Sequence, residues 1–462
     1  MKNRLIRWIG LLLALAIASC AGLETPLPTP EADSTPSNSA PAENRVSPDS
    51  LPEICSCVLR FDHISIEEGL SQSSVHVILQ DSRGFLWFGT QDGLNRYDGY
   101  TFKTYKPDPD IPNSLSDRWI LSILEDKDGF LWIGTRLGGL NRFDPRTESF
   151  TRFLHDEQNP SSISDNRINV LYVDRSDRLW VGTTKGLDML NRQSNQFIHY
   201  AYDPSRQEGI TGKTITAIFQ DSRGRLWVGT SAGGLNLFDP QKHTFTSYQS
   251  SSEITNTISD DYVTAITESS NNFLWVGTPN GLNKFQPETG EFVRFQHDDK
   301  NEQSLTSNMI TALHMDSTGN LWVGTDSGLD RLSEAGKRFI HYHNDPTYAR
   351  SLSTDSIASI HEDRGGVLWF GTNGGGVNKY DRHRDKFAYY RQDPMDKNSL
   401  SSNMIMPIYV DSEGYTWIGT DKGLDRFTLS TSQVIHYRHN PARPNTIVSD
   451  EILTNHEDQD GI

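Results

Sequence analysis

The chain holds only 3 cysteines in 462 residues, and their placement removes most of the uses cysteine has. Cys20 closes an N-terminal apolar segment. Cys55 and Cys57 are separated by one residue, so a bond between them would be strained, and no further cysteine remains to complete a zinc site. Neither of that pair is given a role. Positive charge is also short: Lys+Arg is 43 against 60 Asp+Glu, a net charge of −17 with no basic clusters, which excludes the electrostatic footprint of a nucleic-acid binder. Beyond residue 20 no apolar run is long enough to cross a bilayer, and no 3.6-residue apolar period persists long enough for a substantial helix. A Ser/His/Asp constellation, a His/Asp/Glu cluster at metal-ligand spacing and a phosphate-cradling loop are all missing. The sequence therefore offers no catalytic residues, no metal set and no cofactor.

What the sequence does have is a repeat. The pentapeptide Leu/Thr-Trp-Phe/Ile/Val-Gly-Thr occurs around Trp87, Trp132, Trp180, Trp227, Trp275, Trp322, Trp369 and Trp417, at spacings of 45, 48, 47, 48, 47, 47 and 48 residues. Only Trp8 and Trp119 lie outside it. A period of this length marks a propeller or a solenoid. In the last complete repeat, Met404–Val410, Thr416–Thr420, Gly423–Phe427 and Val434–Tyr437 read as four short strands, divided by Asp411-Ser412-Glu413-Gly414 and Asp421-Lys422-Gly423. Four strands per repeat make one propeller blade. The fold class is all-β, a β-propeller of four-stranded blades.

Two features of the repeat invite a functional reading. The three 48-residue intervals each carry an extra glycine after the pentapeptide (Gly138-Gly139, Gly233-Gly234, Gly374-Gly375-Gly376), which marks either a ligand-facing rim or a looser hairpin. Asp-x-x-Gly turns recur from Asp81–Gly84 to Asp411–Gly414. A calcium loop would need further converging oxygens, whereas an aspartate bonding its own backbone before a glycine accounts for the pattern. The third and fifth repeats depart from it, at Asp174–Asp177 and Ser269–Asn272.

The two ends differ from the middle. Residues 1–20 form a signal peptide, with Lys2, Arg4 and Arg7 before an apolar core from Ile9 to Ile17. Its end, Ile17-Ala18-Ser19-Cys20, resembles a lipobox with Cys20 as the lipidated residue; an ordinary cleaved signal is the alternative, and either exports the chain. Residues 21–58, rich in Pro and Ser, make a disordered tether. At the other end Asp450-Glu451-Ile452-Leu453 restarts a first strand and Asp458-Gln459-Asp460-Gly461 a turn. The expectation is a piece of a longer protein, stopped in mid-blade.

The string from Gly69-Leu70-Ser71-Gln72-Ser73-Ser74-Val75 through Asp81-Ser82-Arg83-Gly84-Phe85-Leu86-Trp87-Phe88-Gly89-Thr90 to Tyr97-Asp98-Gly99 closely resembles the opening repeat of the two-component regulator propeller family, and the resemblance extends over residues 61–462. It implies an extracytoplasmic, ligand-sensing propeller region, on the outer face of the cytoplasmic membrane or in the periplasm or at the cell surface. The implied parent is a signalling protein whose output module is a histidine kinase or a diguanylate cyclase. Such proteins commonly carry two seven-bladed propellers in series, an immunoglobulin-like domain and a membrane helix, and several sense polysaccharide fragments. The implied partners are a small polar ligand such as an oligosaccharide and the membrane, reached through the N-terminal lipid or a missing C-terminal helix. Any dimer belongs to the full-length protein. Nucleic acid is not among the partners. A propeller lyase or hydrolase acting on polysaccharide and a protein-interaction scaffold are the alternatives.

Blade arithmetic then gives a seven-bladed ring at 59–385 and an incomplete second propeller at 386–462. Phe61-Asp62-His63-Ile64 matches a fourth strand and could close the ring on the blade of Trp369, leaving Phe387-Ala388-Tyr389-Tyr390 to open the second; a single eight-bladed ring is the other solution. Histidines in fourth strands (His199, His341, His436) and beside first strands (His314, His361) occupy repeat-equivalent positions, so they are expected on different blades without converging. Candidate ligand contacts come from a position eight residues before the turn aspartate, which holds Ser73, Arg118, Asn166, Lys213, Asp261, Asn308, Asp355 and Asn403, and from its neighbour, which holds Trp119, Arg167 and Tyr262. Polar groups interleaved with aromatics on one rim suit a sugar-like ligand. Arg118, Trp119, Arg167, Lys213, Tyr262 and Asn308 are the predicted contacts, with Trp119 expected to stack on a sugar face.

Overall fold

The computed structural model describes residues 59–333, 338–382, 390–393, 397–428 and 433–457. The signal peptide, the tether, Cys20, Cys55, Cys57, the Phe387–Tyr389 stretch and the Asp458–Gly461 turn lie outside these residues. Every described repeat folds into a four-stranded antiparallel sheet. Blade 1 is Val75–Gln80, Leu86–Thr90, Gly93–Tyr97 and Phe102–Tyr105, and blades 2 to 6 repeat that order through Phe339–Tyr342. The eighth sheet, Ile405–Val410, Thr416–Thr420, Gly423–Thr428 and Gln433–Tyr437, matches the strands read from the sequence within one residue at each end.

The pentapeptide is the core strand of its blade. All five of its residues are buried in blades 1 to 7. Its tryptophan fills the space between two blades: Trp87 stacks on Tyr105 of its own blade and clusters with Leu115, Ile120, Leu131 and Phe143 of blade 2, the ring centroid of Phe143 lying 5.5 Å away. Its glycine is required by the same contact. A Cβ at Gly89 would stand 2.7 Å from Ile120 of blade 2, and one at Gly182 would stand 2.7 Å from Ile215 of blade 4. Its threonine is fully buried, with Oγ1 donating to Gly93 O at 2.9 Å in blade 1.

The same inter-blade links decide the number of blades. Asp62–Ile64 pairs with Val377–Tyr380 and supplies the outer strand of blade 7, whose other strands are Ile357–Glu362 and Leu368–Thr372. Across the closing seam Trp369 packs with Val75, Ile78 and Phe88 of blade 1, and a Cβ on Gly371 would meet Val75 O at 2.6 Å. Two polar links repeat there as well. Gly376 N–H donates to Ser73 O, as Gly139 N–H does to Asn166 O between blades 2 and 3. Arg364 N–H donates to Gln80 Oε1 at 2.9 Å, as Arg175 N–H does to Gln220 Oε1 between blades 3 and 4. The ring therefore closes on seven blades, not eight, because the seventh seam repeats the glycine packing of the other six. The eighth sheet stands outside the ring and meets the following residues by the same rules: Ser412 N–H donates to Glu457 Oε2, and a Cβ on Gly419 would meet Ile452 at 2.8 Å.

The doubled glycines do not make looser hairpins. A Cβ at Gly233 would fall 1.3 Å from Thr211 O, and the next residue, Gly234, has φ +71°. The longer turn presses on the loop that enters its own blade, and only glycine fits there.

Candidate ligand-binding mouth of the propeller channel

The first strand of each blade lies nearest the axis, so the residues entering it from successive blades meet around one opening. A cavity of about 400 Å³ opens there, spanning blades 3 to 6. Arg167, Thr214, Tyr262 and Met309 line it, one from each blade, all at the position seven residues before the turn aspartate or its equivalent. Asn169, Thr216, Thr264 and Thr311 form a second tier two residues on. This tier is held by the inner strands themselves: Asn169 Nδ2 donates to Ile215 O, Thr216 Oγ1 to Val263 O and Thr311 Oγ1 to Ile357 O, each in the next blade.

Of the predicted contacts, Arg167 and Tyr262 are brought together in this cavity. Arg167 Nε donates to Asn169 Oδ1 at 3.1 Å, and Tyr262 is 42% exposed. Lys213 is exposed on the entering loop of blade 4. Arg118 is exposed on that of blade 2, with its guanidinium 4.0 Å from Asp92. Asn308 instead supports its own loop, with Oδ1 accepting the backbone N–H of His297 at 2.8 Å. Asn166, Asp261, Asp355 and Asn403 do the same for His155, Ser250, Asn344 and Gln392. The recurrence of Asn or Asp at that position was the available signal, because both side chains offer the acceptor oxygen that a bent loop needs.

Trp119 occupies the equivalent mouth position in blade 2, with its indole already engaged by two neighbours. It stacks with His76 of blade 1, at 5.9 Å between centroids and 13° between planes. The Arg136 guanidinium carbon lies 3.9 Å from the ring centroid. Arg136 thus takes the place on the ring face where a sugar would stack. Burial lowers the His76 pKa, which keeps the imidazole neutral, and neither His76 Nε2 nor Trp119 Nε1 has a hydrogen-bond partner among the described residues. Arg136, not singled out in the sequence, follows the pentapeptide threonine directly, as Thr184 and Pro279 of the cavity do.

The histidines divide into two groups. His199, His341 and His436 each place Nδ1 2.6–2.7 Å from a fully buried third-strand carboxylate, of Asp188, Asp330 and Asp425. The side-chain hydrogen bond raises the pKa of His199 and of His341. Blades 1, 2, 4 and 5 have asparagine at that third-strand position and no histidine opposite it. His314 and His361 sit on the first strands of blades 6 and 7, on different blades as expected. Burial pulls both pKa values down, that of His361 to about 4, and His314 Nε2 is 3.6 Å from Glu362. Among the described residues no group of three or more His, Cys, Asp or Glu is placed to hold a metal ion.

The profile of the two component regulator propeller family matches residues 69–92, 114–136, 162–185, 209–232, 257–280, 304–327, 351–374 and 399–422, one match in each of the eight sheets. A stretch of 49 residues, 11% of this chain and 4% of the relative, is 57% identical to Histidine kinase P4 of Formosa agariphila. Among solved structures, the extracellular domain of the hybrid two component system BT3049 from B. thetaiotaomicron superposes with a TM-score of 0.65 at 25% identity, over 87% of this chain and 51% of that one. That of BT4673 from the same organism gives 0.58 at 24% identity, over 82% and 54%, a likeness of fold. The chain thus spans about half the length of these solved domains and a small part of the kinase.

Proposed function

The chain belongs to the two-component regulator propeller family, and on that footing we propose that its seven-bladed ring is the ligand-sensing, extracytoplasmic region of a two-component sensor. The ligand is polar, of the oligosaccharide kind, and sits at the channel mouth. The observation that carries this reading is the contrast between the two layers of the repeat. Second-strand residues are nearly identical from blade to blade, because each fills the same inter-blade space. The mouth position instead holds serine, tryptophan, arginine, threonine, tyrosine, methionine and serine in turn around the ring. Packing does not dictate those residues, and four of them, Arg167, Thr214, Tyr262 and Met309, line a cavity of about 400 Å³, the size of a small-ligand site. We further propose that residues 1–20 export the chain, that Cys20 carries the lipid, and that 386–462 begin a second propeller in a protein with a kinase or cyclase output.

Calorimetric titration of the purified chain with a panel of neutral and acidic oligosaccharides tests the site. Saturable binding that is weakened by Tyr262→Ala, with the unfolding temperature unchanged, is the expected result. Binding that ignores substitutions at the mouth would move the site elsewhere. Turnover of a panel member, abolished by one mouth substitution, would favour the lyase or hydrolase reading.

A further inference from the structure

We propose that the mouth is built for an anionic ligand, whose carboxylate or sulfate group is held by Arg136 of blade 2 and Arg167 of blade 3. This inference rests on the reading of the mouth as the ligand site and adds the chemical class of what binds there.

The charge balance of the molecule runs the other way, which makes the local pattern informative. A chain with net charge −17 has carboxylates to spare for its arginines. Across the propeller Arg83, Arg178, Arg192, Arg225 and Arg382 are all paired with buried or half-buried acids. Arg136 and Arg167 have no carboxylate within ion-pair distance among the described residues. Lys213 on the next blade is also without one among the described residues, and Arg118 reaches Asp92 only at 4.0 Å. The acids of these loops, Asp117 and Asp165, are instead turned to the backbone N–H groups of Leu137 and Arg167, so the entrances of blades 2 to 4 carry cations without close ion pairs.

The two arginines are also held in place by neutral contacts. The indole of Trp119 lies beneath the Arg136 guanidinium at 3.9 Å and stacks with His76, so the cation rests on an aromatic shelf. A guanidinium held by its face keeps its edge N–H groups for a planar anion, and the fork geometry suits a carboxylate or a sulfate oxygen pair. Arg136 N–H donates to Trp119 O at 3.0 Å, which fixes the loop that presents it. Arg167 is steered by its single bond to Asn169 Oδ1 and keeps the rest of its guanidinium for the cavity it lines. The two belong to neighbouring blades joined at this point, since Asn166, one residue before Arg167, accepts the N–H of Gly139, three residues after Arg136. On this view Trp119 is a positioning residue and Tyr262, across the cavity, is the ring left open to the sugar face.

The test titrates the full chain with three probes of equal length: oligogalacturonates for carboxylate, sulfated galactan oligosaccharides for sulfate, and neutral galactan oligosaccharides. At least one charged probe is expected to bind more tightly than the neutral one and to weaken as salt rises. Arg136→Gln and Arg167→Gln should each lower its affinity by about tenfold, the order of one charge-assisted hydrogen bond pair. Arg167 is exposed and Arg136 half-buried without an ion pair among the described residues, so unfolding temperatures should change little. Trp119→Leu should weaken the charged probe and leave the neutral one unmoved. Equal binding of neutral and charged probes, with loss on Tyr262→Ala, would overturn the anionic inference and leave the mouth as the ligand site. No binding of either charged probe, or binding indifferent to both arginine variants, would also overturn it. Insensitivity to all four substitutions would remove the mouth reading with it.

Discussion

The indole N–H of Trp227 donates to Asp221 Oδ2 at 2.9 Å, and both residues are completely buried. The other carboxylate oxygen of Asp221 accepts the backbone N–H groups of Arg223 and Arg225. One side chain therefore closes the turn between the first two strands and fixes the ring that fills the next seam. The pair recurs at Trp87, Trp132, Trp180, Trp322, Trp369 and Trp417, always six residues after the aspartate. Blade 5 differs, since Ser269 stands in place of the aspartate and its hydroxyl donates to Phe273 O.

Asp221→Ala should destabilise the ring by about 2–4 kcal/mol, because it strands a buried indole donor and two turn amides together. Trp227→Ala should cost about 3–5 kcal/mol through the unfilled seam. Ser269→Asp, which gives Trp275 the acceptor that its counterparts have, should be neutral or stabilising by about 1 kcal/mol. Chemical denaturation of the three variants reads all of these; an Asp221→Ala protein as stable as the parent would contradict the account of the turn.

Gly371→Ala should weaken the closing seam. The added methyl would sit 2.6 Å from Val75 O, a backbone atom with no freedom to retreat. A loss of about 1–3 kcal/mol is expected, the usual effect of overpacking. Deleting residues 59–65 should act on the same seam by leaving Val377–Tyr380 without its outer partner. A lower unfolding temperature and concentration-dependent association, followed by light scattering, are the expected signs of that open edge.

Acid should destabilise the inner ring through His361. In the unfolded chain this imidazole takes its proton near the ordinary value of 6.5, and in the folded protein burial holds it neutral to about 4. Between those values the unfolded state binds more protons. The stability is therefore complete above the unfolded pKa and is lost as pH falls from 6.5 toward 4, by roughly 3 kcal/mol for this one group. His314, with Glu362, Asp316 and Arg382 around it, is shifted in the same direction. His199 and His341 oppose the trend: their raised values contribute stability that is full below 6.5 and fades as pH rises through them. His361→Leu should flatten the acid side of a stability–pH curve measured by urea unfolding. An unchanged acid slope would show that His361 is not the group responsible.

Trp119→Ala should weaken an anionic ligand by about 1–3 kcal/mol while leaving the fold intact, since the ring supports Arg136 at a half-buried seam and fills no closed core site. Calorimetry on the variant measures the first effect and its unfolding temperature the second.

The blades themselves were legible because each is written locally. A run such as Ile405–Val410, then a turn, then Thr416–Thr420 declares its strands through β-branched residues and Asp/Gly punctuation, and eight copies reinforce one another. The outer strand at Asp62–Ile64 could be matched to a fourth strand by the same pattern. The pairing of aspartate with tryptophan was written at a fixed spacing of six but could not be interpreted, because the bond exists only once the turn folds the carboxylate over the indole. Asn308 likewise looked free for a ligand until the loop of His297 was placed against it.

By itself, then, the sequence determined the repeat, its four strands and the polar variation at the strand entrances, since all of these depend on residues close together in the chain. Only the tertiary structure decided that the seventh seam closes the ring, because Val75 and Gly371 are far apart in sequence and meet through accumulated blade rotation. It also decided which side chains share the mouth. That depends on how many blades surround the axis, and the same geometry placed Arg136 of one strand end over Trp119 and His76 of blade 1 against the same ring, contacts that no local pattern encodes.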